Sequence, residues 1–276
     1  MGKGFAELFS ESLLEYGDKF VSYLKVFLFL YLIPSIIYVS VLFGLIISFI
    51  GIEGISKLAS SNVDSFVMTR EISKELMNLL PMSFWIIFSV LTLVMIIFNF
   101  LMNLSYLHIS LSKKEKVSFR EAFRVAKHYF WKYLGLVIVI TVFLILLFLL
   151  LIIPGIIFMV YWIFAIYIFI GENKGVSESL RASKKIVKGH WWKVFGFLLL
   201  IVIIAFAVIG IFSFVPFVGD LVPNLVILPF IYLFFKNFYL DLRGAKVVPE
   251  KLKVVKKIVR KKAKKKTSRR KVSRKK

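Results

Sequence analysis

Between Glu178 and Lys193 the chain reads Glu-Ser-Leu-Arg-Ala-Ser-Lys-Lys-Ile-Val-Lys-Gly-His-Trp-Trp-Lys. On a helix Arg181, Lys184, Lys185 and Lys188 share one side, because residues three and four apart are surface neighbours. A row of cations that ends on Trp191, Trp192 and Lys193 suits lipid phosphates, with the indoles fixing depth at the headgroups. The same residue types stand earlier as Arg120, Lys127, Trp131 and Lys132. Two readings compete for both stretches. One is a lipid-headgroup site; the other is the border of basic and aromatic side chains that accompanies any membrane span.

A second candidate set is polar and lies inside an apolar stretch. Thr92, Asn99 and Asn103 are separated by seven and four residues, which aligns them on one helical face. Such a stripe can line a polar pathway in a transporter or channel. It can equally hydrogen-bond between helices, each bond being worth about 0.6–2 kcal/mol. No Asp or Glu lies deep in an apolar stretch, where an ion-coupled transporter commonly carries one. His108, His128 and His190 stand near helix ends, and none has a second His at metal-ligand spacing. The chain has no cysteine, which excludes disulfides and thiol chemistry. Phosphate-binding glycine loops, nucleophile elbows and paired carboxylates are missing as well. No catalytic residue, metal site or cofactor is expected, and the residues argue against an enzyme.

The elements that position these residues are dictated by the solvent. Hydrophobic residues make up 59% of the 276, and mean hydropathy is +0.86, well above the roughly 45–50% apolar content of soluble domains. Spanning a bilayer takes about 20 apolar residues. Uncharged runs at 26–52 and 82–111 supply two spans, the first with Pro34 as a kink. The run 133–171 is too long for one helix, and Pro154-Gly155 divides it into 133–153 and 156–171. Pro216, Gly219 and Asp220 divide the last run into 194–214 and 221–240. The expectation is an all-α polytopic membrane protein with six transmembrane helices in hairpins.

Basic residues set the orientation. Segment 112–132 has seven basic and two acidic residues, and 172–193 has six and two. Both are expected in the cytoplasm. The turns at 154–155 and 215–220 carry no basic residue, and the loop 53–81 carries three against four acidic, so all three are expected outside. Both termini then lie in the cytoplasm and the protein in the cell membrane. Residues 1–20 carry Glu7, Glu11, Glu15 and Asp18 and do not read as a cleavable signal.

Three regions follow: an amphipathic interfacial helix at 1–22, a membrane domain at 23–240, and a basic tail at 241–276. In the first, Phe5, Leu8, Phe9, Leu13 and Phe20 form the apolar stripe. Ser118 and Glu121 have capping-box spacing. Behind them Phe119, Ala122, Phe123, Ala126 and Phe130 give the apolar face of another interfacial helix. The tail holds 18 basic and 2 acidic residues. Its part from Pro249 reads as a basic amphipathic helix suited to anionic lipid. The remainder is almost wholly Lys, Arg, Ser and Thr, which leaves nucleic acid or the ribosome as a competing partner through phosphate contacts.

A shift of 61 residues superimposes Ser118 on Ser179, Arg120 on Arg181, Lys127 on Lys188, Trp131-Lys132 on Trp192-Lys193 and Gly135 on Gly196. This defines repeat units at about 118–171 and 179–240. The stretch Glu178–Lys193, preceded by Phe164-Ala165 and Gly171-Glu172, resembles the glycerophosphoryl diester phosphodiesterase membrane domain family of six-helix prokaryotic membrane proteins. The resemblance implies six spans and an association with lipid physiology. It does not imply hydrolysis, because that activity belongs to a fused barrel domain that nothing in this chain resembles.

Overall fold

The computed structural model describes residues 2–59, 80–214 and 221–244. Six helices among them are long and apolar enough to cross a membrane, and the chain is an all-α polytopic membrane protein. Helix is the form such sequences take in lipid, since it satisfies every backbone group within the segment. Helix α1 (Phe5–Phe27) leads through a π-helical turn (Leu28–Leu32) into α2 (Ile33–Ala59), and α3 covers Met82–Leu111. Then come α4 (Phe119–Leu150), α5 (Ile152–Trp162), α6 (Ala165–Glu172), α7 (Val176–Val187) and α8 (Trp191–Phe212). A second π-helical turn (Pro223–Ile227) precedes α9 (Leu228–Leu242). The turn at 215–220, residues 60–79 of the acidic loop and the tail from 245 lie outside the described residues.

The outward faces are apolar along the spans. Leu149, Leu150, Leu151, Ile152 and Ile153 are all exposed, as are Phe206 and Ile211 on α8 and Ile36, Ile37 and Val39 on α2. Water would penalise such surfaces; hydrocarbon does not.

The chain forms two compact units. One is Leu28–Met102. In it Tyr38 and Thr92 share a hydrogen bond of 3.1 Å, and Phe49 meets Phe84 edge to face. The other comprises the residues up to Phe27 together with those from Asn103 onward. Its core is aromatic, with Phe5, Phe9, Phe197, Phe230, Phe234 and Phe238 in mutual contact. Helix α1 packs along α9, and α4 pairs with α5.

Both π-helical turns have a proline as their cause. Proline lacks an N–H and its ring crowds the carbonyl four residues back. For Pro34 that carbonyl belongs to Leu30, inside the first turn; for Pro229 it belongs to Leu225, inside the second. Widening the helix by one residue relieves the crowding, and the Leu228 N–H bonds the Pro223 carbonyl instead. The carbonyls of Asn224 and Leu225 are then taken by side chains: Tyr106 donates to Asn224 at 2.9 Å and Tyr16 donates to Leu225 at 3.0 Å.

Several expectations are corrected. Helix α1 does not stop near residue 22 but runs to Phe27. Its inward face is Leu8, Ser12, Lys19, Ser22 and Val26, while Leu13 and Phe20 from the expected apolar stripe point outward. Polar side chains here must find each other inside, and apolar ones are acceptable against lipid. Ser118 does flank α4, yet no side-chain cap forms: the Glu121 N–H bonds the Ser118 backbone carbonyl, and the Glu121 carboxylate pairs with Lys114. Instead of an interfacial helix that turns into the bilayer, α4 runs unbroken for 32 residues. The hairpin break falls at Leu151, in extended conformation, and not at Pro154-Gly155; Pro154 occupies the first turn of α5, where a missing N–H costs little. The segment 156–171 is itself divided, between α5 and α6. The two copies of the 61-residue pattern also differ. Gly189, with φ of 93°, separates α7 from α8, and its counterpart His128 sits within continuous helix.

Candidate functional site

The basic residues gather at one end of the unit that contains α1 and α4–α9, and polar contacts tie the helix ends there together. Lys19, buried on α1, extends its ammonium to the end of α3. It donates to the carbonyls of Ile109 at 3.1 Å, Ser110 at 3.4 Å and Ser112 at 2.6 Å. A cation at a helix C-terminus satisfies orphan carbonyls and complements the helix dipole. One turn on, Ser22 accepts the Val117 N–H at 2.9 Å, which fixes the chain just before α4.

One turn back, Glu15 accepts from Lys19 at 2.7 Å and from Lys236 of α9 at 2.7 Å. Asn237 donates both to Glu15 at 3.2 Å and to Ser12 at 3.0 Å. Lys236 is thus 8% exposed and paired inside. A second group joins Glu172 to Tyr239, Lys174 and Arg243. A third joins the Lys3 N–H to the Asp241 carboxylate at 3.1 Å, with Lys193 reaching the Lys3 carbonyl at 2.9 Å. Gly2 lies close by, and a Cβ there would stand 2.7 Å from an Asp241 carboxylate oxygen and displace that side chain. The hydrogen bond from Lys3 to Glu11 holds that ammonium above its ordinary pKa.

The residues singled out from the sequence are distributed as follows. Arg181, Lys184, Lys185 and Lys188 are exposed on α7, opposite buried Ser179, Ser183 and Val187. Lys184 lies over the Phe158 and Tyr161 rings at 5.3 and 5.5 Å. Trp192 is 78% exposed, and Trp191 is stacked on Phe195 and half-buried. Lys193 turns inward to Asp241, away from the row. On α4, Arg120, Lys127 and Lys132 are exposed and Trp131 is 78% exposed. None of these seven cations pairs with a carboxylate among the described residues, nor do exposed Lys25, Lys113, Lys116 and Arg124, whereas Lys3, Lys19, Lys114, Lys174, Lys193, Lys236 and Arg243 all do.

The polar stripe is engaged residue by residue. Thr92 bonds Tyr38, Asn99 donates to the Met95 carbonyl at 3.3 Å, and Asn103 accepts from Tyr232 at 3.1 Å. His108 is 3% exposed, and its Nε2 has no partner among the described residues. Among those residues no group of three His, Cys, Asp or Glu could hold a metal.

Sequence reasoning passed over Glu15, Lys19 and Asn237. The signal was present: Glu15 and Lys19 are opposite charges one helical turn apart, and Lys236 is a charge in an otherwise apolar run. No protein-family model matches the chain, and no curated protein or solved structure matches it significantly.

Proposed function

We propose that the protein binds anionic phospholipid headgroups along the exposed faces of α7 and the start of α4, as a non-catalytic membrane protein. The observation that carries this reading is the division of the cations. Those that build the fold are matched to carboxylates, and Arg181, Lys184, Lys185 and Lys188 are left without one beside an exposed indole. Each basic residue near an anionic surface contributes about 1 kcal/mol. The resemblance to the phosphodiesterase membrane domain family supports a role in lipid physiology. Transport gains nothing from Thr92 and Asn103, whose hydroxyl and amide already serve neighbouring helices. Tethering of nucleic acid or ribosomes through residues 241–276 depends on a segment that lies almost wholly outside the described residues.

The lipid reading is tested by retention of phosphatidylglycerol on the detergent-purified full chain. Changing Lys184, Lys185 and Lys188 together to Ala lowers retention about tenfold or more; unchanged retention refutes the site.

The same reading places the basic end and both termini in the cytoplasm, in the cell membrane. Because the chain has no cysteine, single substitutions report topology cleanly. An impermeant maleimide labels Ser213→Cys on intact cells and labels Lys116→Cys only after lysis. The reverse pattern inverts the orientation.

A further inference from the structure

Beside the Glu15 cluster lies a recess of about 340 Å³. Its inner wall is formed by Glu15, Lys19 and Lys236, with Leu111 and Leu240 alongside. Its mouth carries Asp18, Lys113 and Glu115, all exposed. The inner wall is unbalanced, for it sets two ammonium groups against one carboxylate. Lys19 is saturated, since its bonds to Glu15 and to the α3 carbonyls employ every donor it has. Lys236 is not. Both of its hydrogen bonds go to Glu15, and an ammonium has three donors. A cation 8% exposed with a spare donor and surplus positive charge around it calls for an anion. At the mouth the balance is reversed: Asp18 and Glu115 outnumber Lys113, and none of the three is ion-paired among the described residues. A bare anion is repelled there, and a cationic group is held.

We propose that this recess binds a zwitterionic phosphate, with the phosphate on Lys236 and an ammonium group between Asp18 and Glu115. Phosphatidylethanolamine has this chemistry, and so does free phosphorylethanolamine. The apolar pair Leu111 and Leu240 can flank the glycerol end of a lipid. The site is separate from the exposed row on α7 and does not rest on it.

Native mass spectrometry of the mildly delipidated full chain, with phosphatidylethanolamine and phosphatidylglycerol added in turn, tests the proposal. Wild type favours phosphatidylethanolamine by about tenfold or more, as the loss of a charged hydrogen bond requires. Lys236→Met abolishes that preference. Asp18→Asn with Glu115→Gln, confined to exposed positions, removes the discrimination between the two lipids and leaves the unfolding temperature unchanged. Changing Lys184, Lys185 and Lys188 to Ala lowers phosphatidylglycerol binding alone and leaves phosphatidylethanolamine binding intact, so the two lipid readings fail independently. Competition by free phosphorylethanolamine assigns the site to the soluble compound; its failure to compete assigns it to the membrane lipid. Retained discrimination in the Asp18–Glu115 variant overturns the proposal, as does wild-type binding by folded Lys236→Met. If Lys236→Met does not fold, the exposed pair decides alone.

Discussion

Ser183 shows how much one hydroxyl can carry in this protein. It donates to the Tyr161 carbonyl at 2.6 Å and accepts from the Phe164 N–H at 3.2 Å, so it closes both sides of the gap between α5 and α6. Ser183→Ala removes the partner of one buried and one part-buried backbone group and lowers stability by about 2 kcal/mol. Ser177→Ala, on the exposed side of α7, changes it by less than about 0.5 kcal/mol; thermal unfolding in detergent checks both. His108 goes the other way. Its unpartnered Nε2 is a burden on the fold, and His108→Leu is neutral to stabilising by about 1 kcal/mol in the same measurement. None of this could be read along the chain. Ser183 lies in the middle of a basic helix, and what makes it structural is a backbone break 19 residues earlier that no proline or glycine marks. The exposed row on α7, by contrast, follows from helical spacing alone, and the four cations stand where that spacing puts them.

At the scale of elements, proline positions carried more information than was drawn from them. Pro34 marks a distortion of its helix in the sequence and in the fold, and the run 221–240 corresponds to an apolar helical stretch at Pro223–Leu242. That Pro229 opens a π-helical turn, and that Tyr16 and Tyr106 close it, depends on side chains more than one hundred residues away. The coupling is measurable. Tyr16→Phe and Tyr106→Phe each cost about 1 kcal/mol in the wild type. In a Pro229→Ala background the new N–H can serve Leu225, the helix can return to α-register, and both costs fall towards zero. Equal costs in the two backgrounds would contradict the role given to the hydroxyls; a double-mutant cycle decides. Gly189 is the other element-scale position. Nothing lies within 4 Å of a Cβ placed there, so Gly189→Ala tests the backbone alone. At φ of 93° the substitution costs about 1–2 kcal/mol of stability.

For the molecule as a whole, the number of spans was legible because hydropathy and length are local properties. The expected boundaries at residues 22 and 132 vanish because amphipathic and fully apolar segments join in continuous helices when nothing in the backbone stops them, and the one expected at 154 falls instead at Leu151. The ionic clusters were not legible as clusters: Glu15 and Lys236 are 221 residues apart, and only the packing of α1 on α9 makes them partners. Removing residues 245–276 leaves the unfolding temperature unchanged and weakens adhesion to phosphatidylglycerol vesicles. The loss is greatest at low ionic strength, where screening is least; vesicle co-sedimentation across a salt series measures it.

The π-helical turn before α9 also bears on biosynthesis. Translation delivers Tyr16 and Tyr106 before the carbonyls of Asn224 and Leu225 exist. The last span therefore enters a membrane in which its two hydrogen-bond donors are already waiting, and its insertion is the event that satisfies them. A chain cut short before residue 221 leaves both hydroxyls without those carbonyls and the Glu15 carboxylate with Lys19 alone.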